Sequence, residues 1–277
     1  MCKDCVPLYK SGEKSQLNYR PISILPAFSK VIERLIYRQL HKYLEDNKFL
    51  SPAQFGFRSG RCTSQAVLRL TEHIRKNMDI GNLTGAVYVD LRKAFDTVEA
   101  VTCGVLQGLI LGPLMFVVSI NDLDIALKNT KLILYADDTV VYYSGKMSEE
   151  IIKILNDDLQ ELDKWFKKNN LVINMKKGKT EFVLYGTAKR IVIQQSSGEQ
   201  INVTICGENV NQSASYDYLG VTLDSKLTFT EYLQKLYKKG SMRLKLLSTV
   251  CESISPYVAE TIYHAMIEPV LMHCVVT

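Results

Sequence analysis

The chain has 277 residues, 47% of them hydrophobic, which is enough to bury a core in one or two lobes and excludes a disordered segment. Its formal charge of +5 and pI near 8.7 suit a polyanionic partner without requiring one. Seven cysteines at irregular positions (2, 5, 62, 103, 206, 251 and 274) and a start, Met1 to Pro7, without an apolar signal core argue against a disulfide framework and secretion, so an intracellular protein is expected.

Phe28, Val31, Ile32, Leu35, Ile36, Leu40, Tyr43 and Leu44 recur at helical spacing, which predicts an amphipathic helix from about Pro26 to Asp46. Beside that face Lys30, Arg34, Arg38 and Lys42 stand four apart, a stripe that fits either a phosphate backbone or plain solvent. A second helix is predicted from Thr63, as N-cap, through Ala66, Val67, Leu70, Ile74 and Met78 to a stop near Gly81. A short apolar strand, Val87-Tyr88-Val89, then ends in Asp90.

Val101 to Ile120 runs twenty residues without a charge. Gln107 and Pro113 interrupt it, Glu99 and Asp122 flank it, and no Trp or Tyr marks an interface, so the sequence argues against a membrane span. Leu132-Ile133-Leu134 and Thr139 to Tyr143 read as the arms of a hairpin bent at Asp137-Asp138. A long helix follows, with Ser148 as cap and a stripe of Ile151, Ile152, Leu155, Leu159, Leu162 and Phe166, expected to cover the back of that hairpin's sheet. Short strands are predicted at 181–185, 190–194, 201–205 and 216–223, then a Lys-rich helix at 230–250 and a last helix from Pro256 to Met272.

Two readings fit the acid pair. Asp-Asp at a bend is a common solvated turn. Yet the apolar wrapping of Asp137-Asp138, and a matching strand that ends in Asp90, also suit three carboxylates that repel one another until a divalent cation sits among them. Such a set is the usual equipment of nucleotidyl transfer.

Val87 to Val98 and Tyr135-Ala136-Asp137-Asp138 resemble the two catalytic motifs of reverse transcriptases from non-LTR (LINE-type) retrotransposons. The likeness continues in order through Asn18 to Ser23, Gln54 to Arg61, Gln107-Gly108 and Tyr218 to Val221, over nearly the whole chain. The resemblance implies an α+β fold: a polymerase palm of antiparallel sheet backed by helices, with helical fingers elements, over 7–224, and a helical thumb-like part over 225–277. It implies an RNA-directed DNA polymerase in which Asp90, Asp137 and Asp138 bind Mg2+, with Mn2+ as alternative, and whose partners are an RNA template, a DNA primer, the RNA-DNA duplex and a dNTP. By the same resemblance Phe95 packs under the incoming sugar, Tyr135 touches the primer end, and Gln107 and Gly108 lie along the nascent base pair. Arg20 and Arg58 meet template or triphosphate, and Lys179, within Asn174 to Thr180, protonates the departing pyrophosphate.

The chain departs from this pattern at Leu106 and Leu109, where relatives have Pro and Ser. A larger departure follows Val98. Relatives carry several dozen mostly helical residues before the Gln-Gly motif, whereas here only Glu99 to Cys103 separate Val98 from Gly104, and five residues cross at most about 18 Å. The expectation is a polymerase with an internal deletion and shortened ends, either still active or surviving as a catalytically dead nucleic-acid-binding remnant.

Overall fold

The structure is a computed structural model, and the residues it describes are 5–9, 19–23, 26–92, 109–196 and 202–273. Strands β1 (Cys5–Tyr9) and β2 (Tyr19–Ser23) form an antiparallel pair and are followed by helices α1 (Ala27–Asp46) and α2 (Thr63–Asp79). Next come β3 (Leu83–Val89), β4 (Leu91–Arg92), the short helix α3 (Gly112–Ser119), β5 (Lys131–Tyr135), β6 (Asp138–Gly145) and the long helix α4 (Ser148–Lys168). Then follow β7 (Val172–Ile173), β8 (Glu181–Tyr185), α5 (Ala188–Ser196), β9 (Thr204–Ile205), β10 (Glu208–Asn209), β11 (Asn211–Gln212), β12 (Ser215–Tyr218) and β13 (Val221–Asp224). Helix α6 (Thr230–Val250) precedes α7 (Pro256–Ile262) and α8 (Glu268–Leu271), which a π-helical stretch, Tyr263–Ile267, joins.

This α+β arrangement is organised by a five-stranded sheet of order β11-β8-β3-β6-β5, antiparallel except where β11 pairs with β8. Successive side chains of a strand point to opposite faces, and both faces are covered here. Ala86, Tyr88, Val140, Tyr142, Val183 and Tyr185 pack under α2 and the β12–β13 hairpin, through Val67, Leu70, Ile74, Tyr218, Val221 and Leu223. Val87, Val89, Val141, Phe182 and Leu184 pack under α4, through Ile151, Leu155, Leu159, Leu162 and Phe166. The predicted backing helix therefore lies where expected. The fit is tight at Gly85, where a Cβ would stand 2.6 Å from Ile151 Cγ2.

Several sequence expectations need correction. The apolar stripe of α1 is mostly exposed: Phe28 is 76% exposed and Val31, Ile32, Leu35, Ile36 and Tyr43 are exposed too, leaving Leu44 as the buried member. Among the described residues the apolar contacts of α1 lie toward its C-terminal half, where Tyr37, Leu40 and Leu44 meet Leu50, Leu114 and Val117, while nearer its start Glu33 accepts from the Ile110 N–H (2.8 Å). Periodicity shows which face of a helix can be buried, not whether a partner arrives. Residues 190–194, expected as a strand, lie within α5; Ile191 is buried while Val192 and Ile193 are exposed, so the β-branched run does not mark a buried strand. The single strand expected over 216–223 is a hairpin turning at Leu219-Gly220, both with positive φ. Of 201–205 only Thr204–Ile205 is strand among the described residues. Met147 and Cys62, rather than Ser148 and Thr63, hold the N-cap positions of α4 and α2.

No described helix is long and apolar enough to cross a membrane. The described end of the uncharged stretch forms α3, whose Leu114, Phe116 and Val117 are buried.

Candidate active site

The acid pair sits on a two-residue turn, since Tyr135 and Asp138 are the last pair of the β5–β6 ladder. Ala136 adopts a left-handed φ of 54°, which costs a residue with a Cβ and is held only where the surroundings enforce it. The enforcement comes from residues 53–56, which run beside β5. Leu134 donates its N–H to Ala53 O (2.9 Å), and Phe55 donates to Leu134 O (2.7 Å). The Gln54 side chain, 1% exposed, accepts through Oε1 from the backbone N–H of both Ala136 (3.1 Å) and Gly56 (2.7 Å). A Cβ on Gly56 would stand 2.4 Å from Ala136 N. Gly56→Ala is accordingly expected to displace the acid turn and to cost about 2 kcal/mol, read as a lower urea midpoint; an unchanged midpoint would mean the turn has slack.

Asp90 is the residue after the last β3 pair, Val89 with Thr139, and so faces Asp138 across the ladder. The alternation that sends Tyr88 and Val140 to the α2 face sends Asp90 and Asp138 the same way. Their proximity shows in the electrostatics. Burial raises the Asp138 carboxyl to about 6, helped by the negative charges of Asp137 and then Asp90, and opposed by Lys179.

Asp90 is gripped by the loop that follows β7. Asn174 donates its backbone N–H to Asp90 O (2.8 Å) and its Nδ2 to Asp90 Oδ2 (2.7 Å), while Asp90 N–H donates to Thr180 Oγ1 (3.3 Å). Half-exposed Lys179 brings its Nζ within 3.6 Å of Asp90 Oδ1. The loop is anchored in turn: Tyr216 OH donates to Lys179 O (2.9 Å), and Gly178 N–H donates to Glu181 Oε1 (2.8 Å). Beneath the acids lies a tyrosine cluster. Tyr216 stacks on Tyr88 with centroids 4.1 Å apart, and the Tyr88 and Tyr185 hydroxyls are 2.6 Å apart. The buried Tyr218 hydroxyl has no hydrogen-bond partner among the described residues. Burial first, and the charge of Asp138 next, push the Tyr216 and Tyr218 phenols up.

The structure thus brings together Asp90, Asp137, Asp138, Tyr135 and Lys179. Arg58 points elsewhere. Its side chain, 9% exposed, forms a forked pair with Glu45 (Nε to Oε1 3.0 Å, Nη2 to Oε2 2.7 Å) and donates Nη1 to Ser51 O (2.8 Å), tying α1 to the segment that leads into the acid turn. Arg20 lies on β2 opposite Leu8. Phe95, Gln107 and Gly108 lie outside the described residues. On α6, Lys238, Lys239 and Lys245 are exposed, whereas Lys235 pairs with Asp217 (3.0 Å) and Glu231 (3.1 Å).

As placed, no three His, Cys, Asp or Glu side chains among the described residues form a cage for an ion. The carboxylate of Asp90 instead meets Asn174 and Lys179. The donor set still fits a hard divalent cation, because it offers carboxylate oxygens, and burial first and the neighbouring acids next already raise Asp138, a cost that a cation would relieve. The residues that sequence reasoning missed as parts of this site are Asn174, Gln54 and Tyr216. Asn174 and Gln54 both fall inside motif runs, which was the available signal.

The chain matches the family described as "Reverse transcriptase (RNA-dependent DNA polymerase)" over residues 10–101 and 99–223, two stretches that meet at 99–101. It is 28% identical to the probable RNA-directed DNA polymerase from transposon BS of Drosophila melanogaster, over 87% of this chain and 31% of that protein. It is 23% identical to the RNA-directed DNA polymerase from mobile element jockey of Drosophila melanogaster, over 92% of this chain and 32% of that protein. A putative 115 kDa protein in type-1 retrotransposable element R1DM of the same organism is 23% identical over 98% of this chain and 30% of its own length. The chain thus spans about a third of the length of these curated relatives.

Proposed function

Because the chain belongs to the reverse transcriptase family of RNA-dependent DNA polymerases, and resembles its non-LTR retrotransposon members, we propose that it extends a DNA primer on an RNA template from dNTPs at the Asp90, Asp137 and Asp138 cluster. The observation that carries this reading is the placement of Asp90 just beyond the end of β3, opposite Asp138 at the start of β6, with Asp137 in the turn between β5 and β6. In this reading the sheet with α2 and α4 is the palm, the elements before α2 belong to the fingers, and α6 to α8 are thumb-like.

Asp90, Asp137 and Asp138 would hold Mg2+, or Mn2+ in its place. Bound there, the cations would supply charge neutralisation on the triphosphate and lower the pKa of the primer hydroxyl. The chain's own residues would do the positioning. Gln54 and Gly56 fix the turn, Asn174 and Thr180 fix Asp90, and Tyr135 stands beside Asp138 in the ladder where a primer end would lie. Lys179, at the rim and half exposed, is the proton donor proposed for the departing pyrophosphate. The exposed lysines of α6 would follow duplex phosphates without reading sequence.

A second reading is a nucleic-acid-binding remnant without catalysis. One observation favours it. The alignment with the transposon BS polymerase runs over 290 residues but takes in 87% of this 277-residue chain, so about fifty positions of the relative have no counterpart here. With the family match divided at 99–101, this supports a lost excursion between catalytic elements that would otherwise cover the palm. Primer extension on an RNA template with Mg2+ decides between the two. Extension that Asp137→Asn abolishes supports the polymerase. Salt-sensitive duplex binding with no extension, unchanged by Asp137→Asn, supports the remnant, and no binding at low salt refutes both.

A further inference from the structure

We infer that Asn174 is a positioning residue of the acid site, holding one carboxylate oxygen of Asp90 so that the other is presented to a cation; this rests on the polymerase reading above. Asp90 stands where the chain leaves the central sheet: β3 ends at Val89, and β4 pairs instead with β7, Leu91 opposite Ile173. A carboxylate at such a break has no ladder of its own to fix it. The β4–β7 pairing delivers Asn174, the next residue after β7, directly against Asp90. There it takes Asp90 O with its backbone N–H (2.8 Å) and Asp90 Oδ2 with its amide (2.7 Å). Backbone and side chain of the acid are therefore clamped by the same residue.

The chemistry of the clamp is selective. A carboxylate only accepts, so Nδ2 must be the atom that meets Oδ2. The amide is neutral, so it orients the carboxylate without neutralising it, which a lysine would do. One lone pair of Oδ2 is thereby taken and the plane of the carboxylate fixed, and Oδ1, whose contact among the described residues is the loose one with Lys179 at 3.6 Å, is the oxygen turned toward a metal. Outer partners that orient a ligand in this way change metal affinity by roughly tenfold or more when removed.

The test is Mn2+ binding to the full chain, followed by the paramagnetic resonance of free Mn2+, with melting temperature in EDTA recorded beside it. Wild type is expected to bind, Asp138→Asn to lose binding, and Asn174→Ala to bind about tenfold more weakly while melting within a few degrees of wild type. Asn174→Ser, which keeps a polar side chain too short to reach Oδ2, should match Asn174→Ala and serves if the alanine variant does not fold. Ser213→Ala removes the 2.6 Å hydrogen bond to Glu181 Oε2 that supports the same loop one step away, and should leave Mn2+ affinity unchanged. Asn174 variants that bind as wild type does, or a Ser213→Ala loss equal to theirs, would overturn the inference and leave the polymerase reading standing. If wild type shows no binding that Asp138→Asn removes, the polymerase reading itself fails and the inference with it.

Discussion

Arg58→Ala is expected to destabilise the chain by about 3 kcal/mol, seen as a lower urea midpoint with an unchanged slope. The guanidinium is nearly buried and spends its donors on both oxygens of Glu45 and on the carbonyls of Ser51 and Leu50 (3.3 Å). Removing it leaves a partly buried carboxylate and two carbonyls without that partner, and the desolvation cost of each then falls on the folded state. Arg58→Lys should recover only part of the loss, because one ammonium cannot serve a forked contact. The pair also makes stability depend on pH. The hydrogen bond from Arg58 holds the Glu45 carboxyl below its usual 4.5, so its contribution is complete above that pH and fades as pH falls through the lower folded value. If Arg58→Ala unfolds as wild type does yet binds RNA-DNA duplex poorly, the side chain serves nucleic acid rather than the scaffold.

Asp138→Asn is expected to stabilise the cation-free protein by about 2 kcal/mol above pH 6 and to leave it near wild type at pH 4. In the folded chain the carboxyl keeps its proton up to about 6, against 3.8 for the free group, because burial and two neighbouring acids oppose ionisation. Between those values the folded state binds more protons than the unfolded one, so wild-type stability drops as pH rises and the loss is complete above pH 6. A shift of about two units corresponds to about 3 kcal/mol, reduced here because Asp138 retains some contact with water. Asparagine does not ionise and escapes the loss. Mg2+ should raise the melting temperature of wild type and not of the variant, narrowing the gap. Melts at pH 4, 6 and 8 check this, and a gap that does not vary with pH would show that neither burial nor the neighbouring acids raise the Asp138 carboxyl. Stability traded for a charged cluster in this way is common where chemistry needs the charges.

How much of this was readable beforehand depends on sequence distance. The strand before Asp90, the Asp137-Asp138 hairpin and the backing helix were legible because each carries a strong local pattern that the core then uses on both faces of the sheet. The exposed stripe of α1 and the β-branched run inside α5 misled for the converse reason: their patterns were local, and packing decided otherwise. The supports of the site were not legible at all from periodicity. Asn174 lies 84 residues from Asp90, and Gln54 lies 82 residues from Ala136, so both contacts exist only once the strands have paired. Arg58 shows a different limit, since its motif pointed outward to a ligand while its neighbour Glu45, thirteen residues back, turned it inward.

β3 and β6 are hydrogen-bonded neighbours although the chain between them passes through 99–101, where the two stretches of the family match meet. Ladder pairing fixes the distance between two strands whatever the length of the connection, and doubling a connection costs only about 0.6 kcal/mol in closure entropy. The carboxylates are thus insulated from insertions and losses upstream of α3. The same pairing would set Asp90 opposite Asp138 with a longer or a shorter connection, so the spacing of these acids is a property of the sheet's register and not of the segment that joins β4 to α3.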